Sequence, residues 1–92
     1  MTDLRSYAAE QLSRLLPDYE EIDFRANISD SSYSVEFFVT ADGKRMQCYE
    51  MADEGIIDED ELNACTEAIA NYARKTADFK KGEVNKYSFT LN

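Results

Sequence analysis

The chain has 92 residues, 43% of them hydrophobic and 32% charged, which predicts one small globular domain spanning residues 1–92. Its formal net charge of −9, from 19 acidic and 10 basic residues, disfavours nucleic acid and anionic lipid surfaces as partners and favours basic proteins. No apolar run approaches the roughly 20 residues of a membrane span, and the N-terminus lacks the pattern of a signal peptide, so we expect a cytoplasmic protein.

The first predicted elements are a helix over residues 3–16 and a strand over residues 22–28. Apolar side chains in the first segment recur at helical spacing, and Pro17 ends the helix because its ring disfavours helical geometry in the residue before it. In the second segment apolar and polar side chains alternate, as they do in a strand with one buried face. Residues 30–32 then predict a turn.

Asp42-Gly43 is the strongest local signal, because it separates two alternating runs and is typical of a type I′ hairpin turn. The turn predicts three facing pairs: Ala41 with Lys44, Val39 with Met46, and Phe37 with Cys48. The last four of these side chains would share one sheet face. Phe38 and Tyr49 fall on the opposite face, where long side chains, a neighbouring chain or a partner would cover them.

A second, longer helix is predicted to begin at Asp58, with Glu61 completing a capping box, and to end near residue 79 before Gly82. Its apolar stripe recurs at spacings of three and four: Leu62, Cys65, Ile69, Tyr72, Thr76 and Phe79. Residues 87–91 alternate again and predict a final strand.

These elements predict an α+β fold in the order α-β-β-β-α-β, with an antiparallel sheet and both helices packed on one face. The two cysteines are expected to be buried as small hydrophobes. The predicted core is Leu4, Ala8, Leu12, Leu15, Ile22, Phe24, Val35, Phe37, Val39, Met46, Cys48, Leu62, Cys65, Ile69, Tyr72, Phe79, Phe89 and Leu91.

Catalysis is disfavoured by the residue types present. The chain contains no histidine, so neither a Ser-His-Asp nor a Cys-His arrangement is available, and no phosphate-binding loop motif occurs. A core this small leaves little room for a deep cleft between paired carboxylates. We therefore expect no enzyme activity and no cofactor.

The most unusual stretch is MADEGIIDEDEL, which places six carboxylates in the nine positions from Asp53 to Glu61. It does not match the EF-hand calcium loop, because Ile57 and Asp58 occupy the fifth and sixth positions, so no metal site is predicted. Helix capping accounts for Asp58 and Glu61, and the helix dipole favours about two more of the acids, which leaves Asp53 and Glu54 unexplained. They form either a solvated loop or a surface for a basic protein. A second acidic set follows the first helix: Asp18, Glu20, Glu21 and Asp23.

Along nearly its whole length the chain resembles the YezG-like immunity proteins, the antitoxins of bacterial polymorphic-toxin and contact-dependent growth inhibition systems. The resemblance is carried, in order, by LLPDYEEIDFRANIS, SYSVEFFVTADGKRMQCYE, EGIIDEDELNACTEAIANYARKTADF and KYSFTL. It implies a single immunity-protein domain that binds and occludes the C-terminal domain of a cognate toxin, without chemistry of its own.

From the surplus charge we predict a toxin-binding surface in which two large side chains flank the acids, and a nuclease as the toxin. Its residues are Tyr49, Met51, Asp53, Glu54, Asp58, Glu59, Asp60 and Glu61. A monomer is favoured, with a weak dimer as the alternative. Two other functions stay open: a small acidic secretion chaperone that dimerises through the apolar stripe of the second helix, and an acidic domain without this specialisation.

Overall fold

The computed structural model describes residues 3–16 and 18–92, and within them seven helices and strands. In chain order these are α1 (Leu4–Leu15), β1 (Glu21–Ile28), β2 (Tyr33–Ala41), β3 (Lys44–Gln47), α2 (Cys48–Asp53), α3 (Glu59–Arg74) and β4 (Asn85–Leu91). The sheet order is β3-β2-β1-β4, and each neighbouring pair is antiparallel. The α+β class is confirmed, with α2 as an additional helix. The predicted helix stop at Pro17 lies outside the described residues.

The alternating strands divide the sheet into a buried and a polar face. The buried side chains of the two central strands are Ile22, Phe24, Ala26 and Ile28 from β1 and Val35, Phe37 and Val39 from β2. The two long helices pack together over these residues. The ring of Tyr7 in α1 stacks on that of Tyr72 in α3, with centroids 4.0 Å apart. At the opposite end of the pair, Leu15 and Glu61 line a common groove, so the two helices run antiparallel.

The predicted hairpin register is confirmed at two of its three pairs. Ala41 faces Lys44 and Val39 faces Met46. The turn residues Asp42 and Gly43 have φ values of 52° and 76°, as a type I′ turn requires.

The third predicted pair, Phe37 with Cys48, is wrong because β3 ends at Gln47 and Cys48 begins α2. A longer strand would turn Glu50 towards the core and Met51 towards the polar face. A helix instead places Cys48 and Met51, three positions apart, on one side, where both are buried. The side chain of Gln47 caps the helix by accepting a hydrogen bond from the Tyr49 N–H at 3.0 Å.

On the polar face, Phe38 is shielded by a long side chain as predicted. The guanidinium of Arg45 lies 4.8 Å from the centre of its ring. Arg45 also contacts Asp23 at 2.6 Å, and Asp23 accepts a hydrogen bond from Thr90 Oγ1 at 2.9 Å. These contacts link all four strands of the sheet, and the hydrogen bonds from Thr90 and Arg45 lower the pKa of the Asp23 carboxyl.

Tyr49 does not lie on that face. From α2, its hydroxyl donates a hydrogen bond of 3.0 Å to the carbonyl oxygen of Val35. This carbonyl belongs to the part of β2 that extends beyond the end of β3. Tyr49 therefore hydrogen-bonds to the edge of β2 that β3 leaves unpaired because β3 ends at Gln47.

The second long helix ends at Arg74, five residues before the predicted boundary. The Arg74 Nε donates to the Ser29 carbonyl at 2.8 Å and so ties the helix end to the β1–β2 loop. The Thr76 hydroxyl donates to the Ala73 carbonyl at 2.7 Å, a local bond that competes with further helix. Gly82, predicted as the helix cap, lies in the following loop, where its N–H donates to Asp30 Oδ2 at 2.8 Å.

Most of the predicted core is buried, including both cysteines. Burial raises the pKa of the Cys65 thiol to about 11. Five predicted core residues are only partly buried and pack against the outside of the buried core: Leu15, Met46, Tyr72, Phe79 and Phe89. Buried hydrophobic residues missing from the predicted core are Leu16, Ala26, Ile28, Met51, Ile57, Ala70 and Ala73. Within the described part of the chain, no helix is long and apolar enough to cross a membrane.

Candidate functional site: an acidic protein-binding surface

The segment from Asp53 to Glu61, here called the acidic junction, joins α2 to α3 through a tight helix end. Gly55 has φ +75°, and its N–H donates to the Ala52 carbonyl at 3.1 Å. The next N–H, that of Ile56, donates to the Met51 carbonyl at 2.9 Å. Together these bonds form a Schellman motif, in which glycine adopts the left-handed conformation without a Cβ penalty.

The other end of the junction is the capped start of α3. Asp58 Oδ2 accepts a hydrogen bond from the Glu61 N–H at 3.0 Å, which confirms Asp58 as the N-cap. The Asp58 carbonyl also accepts from the Leu62 N–H at 2.9 Å, and so begins the helical hydrogen-bond ladder. The backbone is thus hydrogen-bonded on both sides of the two isoleucines.

The two isoleucines have opposite environments. Ile57 belongs to the buried core cluster, whereas the side chain of Ile56 is 55% exposed. Ile57 therefore packs the junction against the domain, whereas Ile56 is exposed and lies between acidic residues along the chain.

All six acidic residues of the junction are exposed. In residues 3–16 and 18–92 the salt bridges join Glu10 to Arg14 and Asp23 to Arg45, so none of the junction's carboxylates is ion-paired. These carboxylates are available to an external cation.

The helix ends give these acids opposite energetic effects. The acids in the first turn of α3 lie at a helix N-terminus, where negative charge is stabilising. Asp53 is the last residue of α2 and Glu54 is its C-cap, and no basic residue lies in the last turn of that helix. Negative charge is unfavourable at a helix C-terminus, so the fold gains nothing from Asp53 and Glu54 at these positions.

The fold brings two members of the second acidic set, Asp18 and Glu20, to the same end of the molecule. The last turn of α1 lies beside the first turn of α3, and the chain leaves α1 into exposed Asp18 and Glu20. These two residues line a cleft with Asp42 of the hairpin turn. At the far end of α3, Arg74 bonds to the β1–β2 loop and is followed by Lys75. Exposed acids of two separate segments therefore lie towards one end of the domain, with Arg14 beside them in the groove between the helices.

Of the eight residues predicted to bind a toxin, Met51 must be removed, because its side chain is buried in the core. Tyr49 is partly exposed, but its hydroxyl is bonded within the domain, and burial raises the pKa of that hydroxyl. The six acids remain on the surface. The apolar side chain that lies among them is Ile56, which the prediction missed because sequence position alone does not distinguish it from Ile57.

No arrangement of three or more histidine, cysteine, aspartate or glutamate side chains suited to a metal ion occurs within the described ranges. The chain matches no protein-family model, no curated protein and no solved structure. The resemblance to the YezG-like immunity proteins consequently stays a prediction from the sequence pattern.

Proposed function

We propose that this protein is an immunity protein that binds the toxic domain of a cognate bacterial effector and covers its active site. The observation that carries the proposal is the acidic junction, with six exposed carboxylates that have no ion-pair partner among residues 3–16 and 18–92. Two of them, Asp53 and Glu54, lie where negative charge does not benefit the helix that bears them. A binding role explains why they are present.

The proposed mechanism is occlusion. A nuclease binds the phosphates of its substrate in a cleft rich in lysine and arginine, and exposed carboxylates can occupy such a cleft in place of phosphates. Complementary charge raises the association rate towards about 10⁸–10⁹ M⁻¹s⁻¹ at low salt. Rapid capture would stop an incoming nuclease before it cleaves nucleic acid.

A secretion chaperone is the weaker proposal on structural grounds. Its dimer would need the apolar stripe of α3, but Leu62, Cys65 and Ile69 are buried and Tyr72 stacks on Tyr7. The stripe is occupied by this domain's own core, so it offers no seam to a second helix.

The proposal predicts that a neighbouring gene encodes an effector with a toxic C-terminal domain. The test is co-expression of that domain with this protein, followed by binding kinetics with a catalytically inactive form of the domain. Wild-type protein should restore growth. Reversing Asp53, Glu54 and Glu59 to lysine should slow association by about tenfold or more at low salt and reduce its salt dependence.

A matched control reverses three other exposed acids, Glu67, Asp78 and Glu83, to lysine. Both variants change the net charge equally, so a difference between them isolates the location of the charge. Equal association rates for the two variants would remove the acidic junction from the interface. Failure of the wild-type protein to rescue growth and to bind would defeat the proposed function.

A further inference from the structure

We infer that Ile56 is the apolar anchor of the toxin interface and that the toxin receives it in an aliphatic pocket rimmed by lysine or arginine. This inference rests on the proposed function and specifies the chemistry of the partner. It replaces Met51, which the sequence suggested as an anchor and which the fold buries.

Ile56 differs from the other large hydrophobic residues that the described surface exposes, namely Tyr33, Tyr49 and Val84. The two tyrosines have contacts within the domain: Arg74 lies 5.8 Å from the ring centre of Tyr33, and the Tyr49 hydroxyl bonds to Val35. Val84 is slightly more exposed than Ile56 but lies in the loop before β4, in a cleft that contains both acidic and basic residues: Asp78, Glu83, Lys80 and Lys86. Only Ile56 lies within the acidic junction.

The backbone of Ile56 is already ordered before any partner binds. Its N–H is held by the Met51 carbonyl, Gly55 before it completes the Schellman motif, and Ile57 after it is buried. Asp58 then caps α3. A side chain presented by an ordered backbone loses little conformational freedom on binding, so the burial of its apolar surface contributes more fully to affinity.

Single exposed isoleucines are common on protein surfaces, so the inference rests on the acidic residues that surround Ile56 in the chain. Protein interfaces commonly have an apolar centre surrounded by polar or charged groups that exclude water once bound. Here Asp53 and Glu54 precede Ile56 and Asp58 follows it, all of them exposed. A partner that pairs with these carboxylates must be cationic, and the position of Ile56 among them requires an apolar recess between the cations.

The inference predicts different kinetic effects for the isoleucine and for the acids. With the catalytically inactive toxin domain of the preceding test as the probe, Ile56→Ala should raise the dissociation rate by about tenfold or more. Its association rate and the salt dependence of that rate should stay within about twofold of wild type, because the charges that steer encounter are unchanged. The lysine reversals of Asp53, Glu54 and Glu59 should instead slow association and reduce its salt dependence, and their dissociation rate should change less.

Val84→Ala is the matched control, because Val84 is 61% exposed and is likewise aliphatic and β-branched. Its dissociation rate should equal that of wild type. Neither side chain is buried, so both variants should unfold at the wild-type urea midpoint, and this measurement excludes a folding defect.

The outcomes separate the two proposals. If wild-type protein binds and the lysine reversals slow association, but Ile56→Ala dissociates at the wild-type rate, the anchor is wrong and the immunity function stands. If Ile56→Ala and Val84→Ala accelerate dissociation equally, the anchor is also wrong. If wild-type protein does not bind the toxin domain, both proposals fall.

Discussion

At the scale of single residues, Gly55 decides how the acidic junction is presented. Its φ of +75° allows the N–H groups of Gly55 and Ile56 to turn back onto the last carbonyls of α2. A Cβ added at this position would meet no atom within 4 Å, so the requirement for glycine is conformational rather than steric. The geometry of Ile56 therefore depends on the residue before it.

We predict that Gly55→Ala lowers the free energy of unfolding by about 1–2 kcal/mol, because alanine is strained in the left-handed region. Gly55→Asn should lose less, since asparagine tolerates this conformation better. Urea denaturation followed by circular dichroism measures both changes. An alanine variant as stable as wild type would show that the helix end relaxes into another conformation at no cost.

Predictions for single residues were correct where they depended on neighbours along the chain. They were wrong where they depended on which side chains the fold buries. Asp58 was identified as an N-cap because its hydrogen bond reaches only three residues ahead. Met51 was expected on the surface and is buried, because its orientation depends on α2 packing against the sheet. A side chain's exposure is set by elements distant in sequence.

At the scale of elements, the two helices that meet in the acidic junction place its charges in opposite fields. The last turn of α2 contains Asp53 and no basic residue, whereas the first turn of α3 contains three acids. The same kind of charge thus opposes one helix dipole and complements the other.

Neutralising these acids should change stability with opposite signs. Asp53→Asn with Glu54→Gln should raise the free energy of unfolding, and Glu59→Gln with Asp60→Asn should lower it, each by about 0.3–1 kcal/mol at low ionic strength. Urea denaturation at low salt and in 0.5 M NaCl measures both pairs, and salt should reduce both effects. Changes of the same sign in both pairs would show that overall repulsion, rather than the helix ends, governs their energetics.

The element order was largely predictable, and its errors have a common cause. Asp42-Gly43 predicted the hairpin register because turn geometry and strand alternation act over a few residues. The stretch beginning at Cys48 alternates well enough to suggest a strand, yet it forms α2, because the helix buries both Cys48 and Met51. Local pattern did not distinguish these alternatives; packing against β2 and α3 did.

At the scale of the whole molecule, folding brings two acidic segments to one end. The junction and the segment after α1 are more than thirty positions apart, yet both lie near the hairpin-turn end of the sheet. A concentrated field of one sign steers a cationic partner to this end more effectively than the same charge spread evenly.

The apolar stripe of α3, which is buried inside the domain, predicts the oligomeric state of the protein. Because Leu62 and Ile69 are fully buried within the domain, we expect a monomer with a mass of 10.5 kDa by light scattering at all practical concentrations. The measurement should be repeated in 0.5 M NaCl, where screening removes the mutual repulsion of the acidic chains. A dimer that persists at micromolar concentration would favour the chaperone proposal instead.

Neighbouring residues along the chain were enough to predict the strand alternation, the type I′ turn and the start of α3 at Asp58, and composition gave the net charge of −9. These depend on dihedral preferences, on hydrogen bonds across a few positions and on composition. Packing between distant elements buries Ile57 and exposes Ile56, makes Cys48 the start of a helix, and brings two distant acidic segments to one end. Each of these depends on contacts between elements far apart in the chain, where burying apolar surface outweighs local preference.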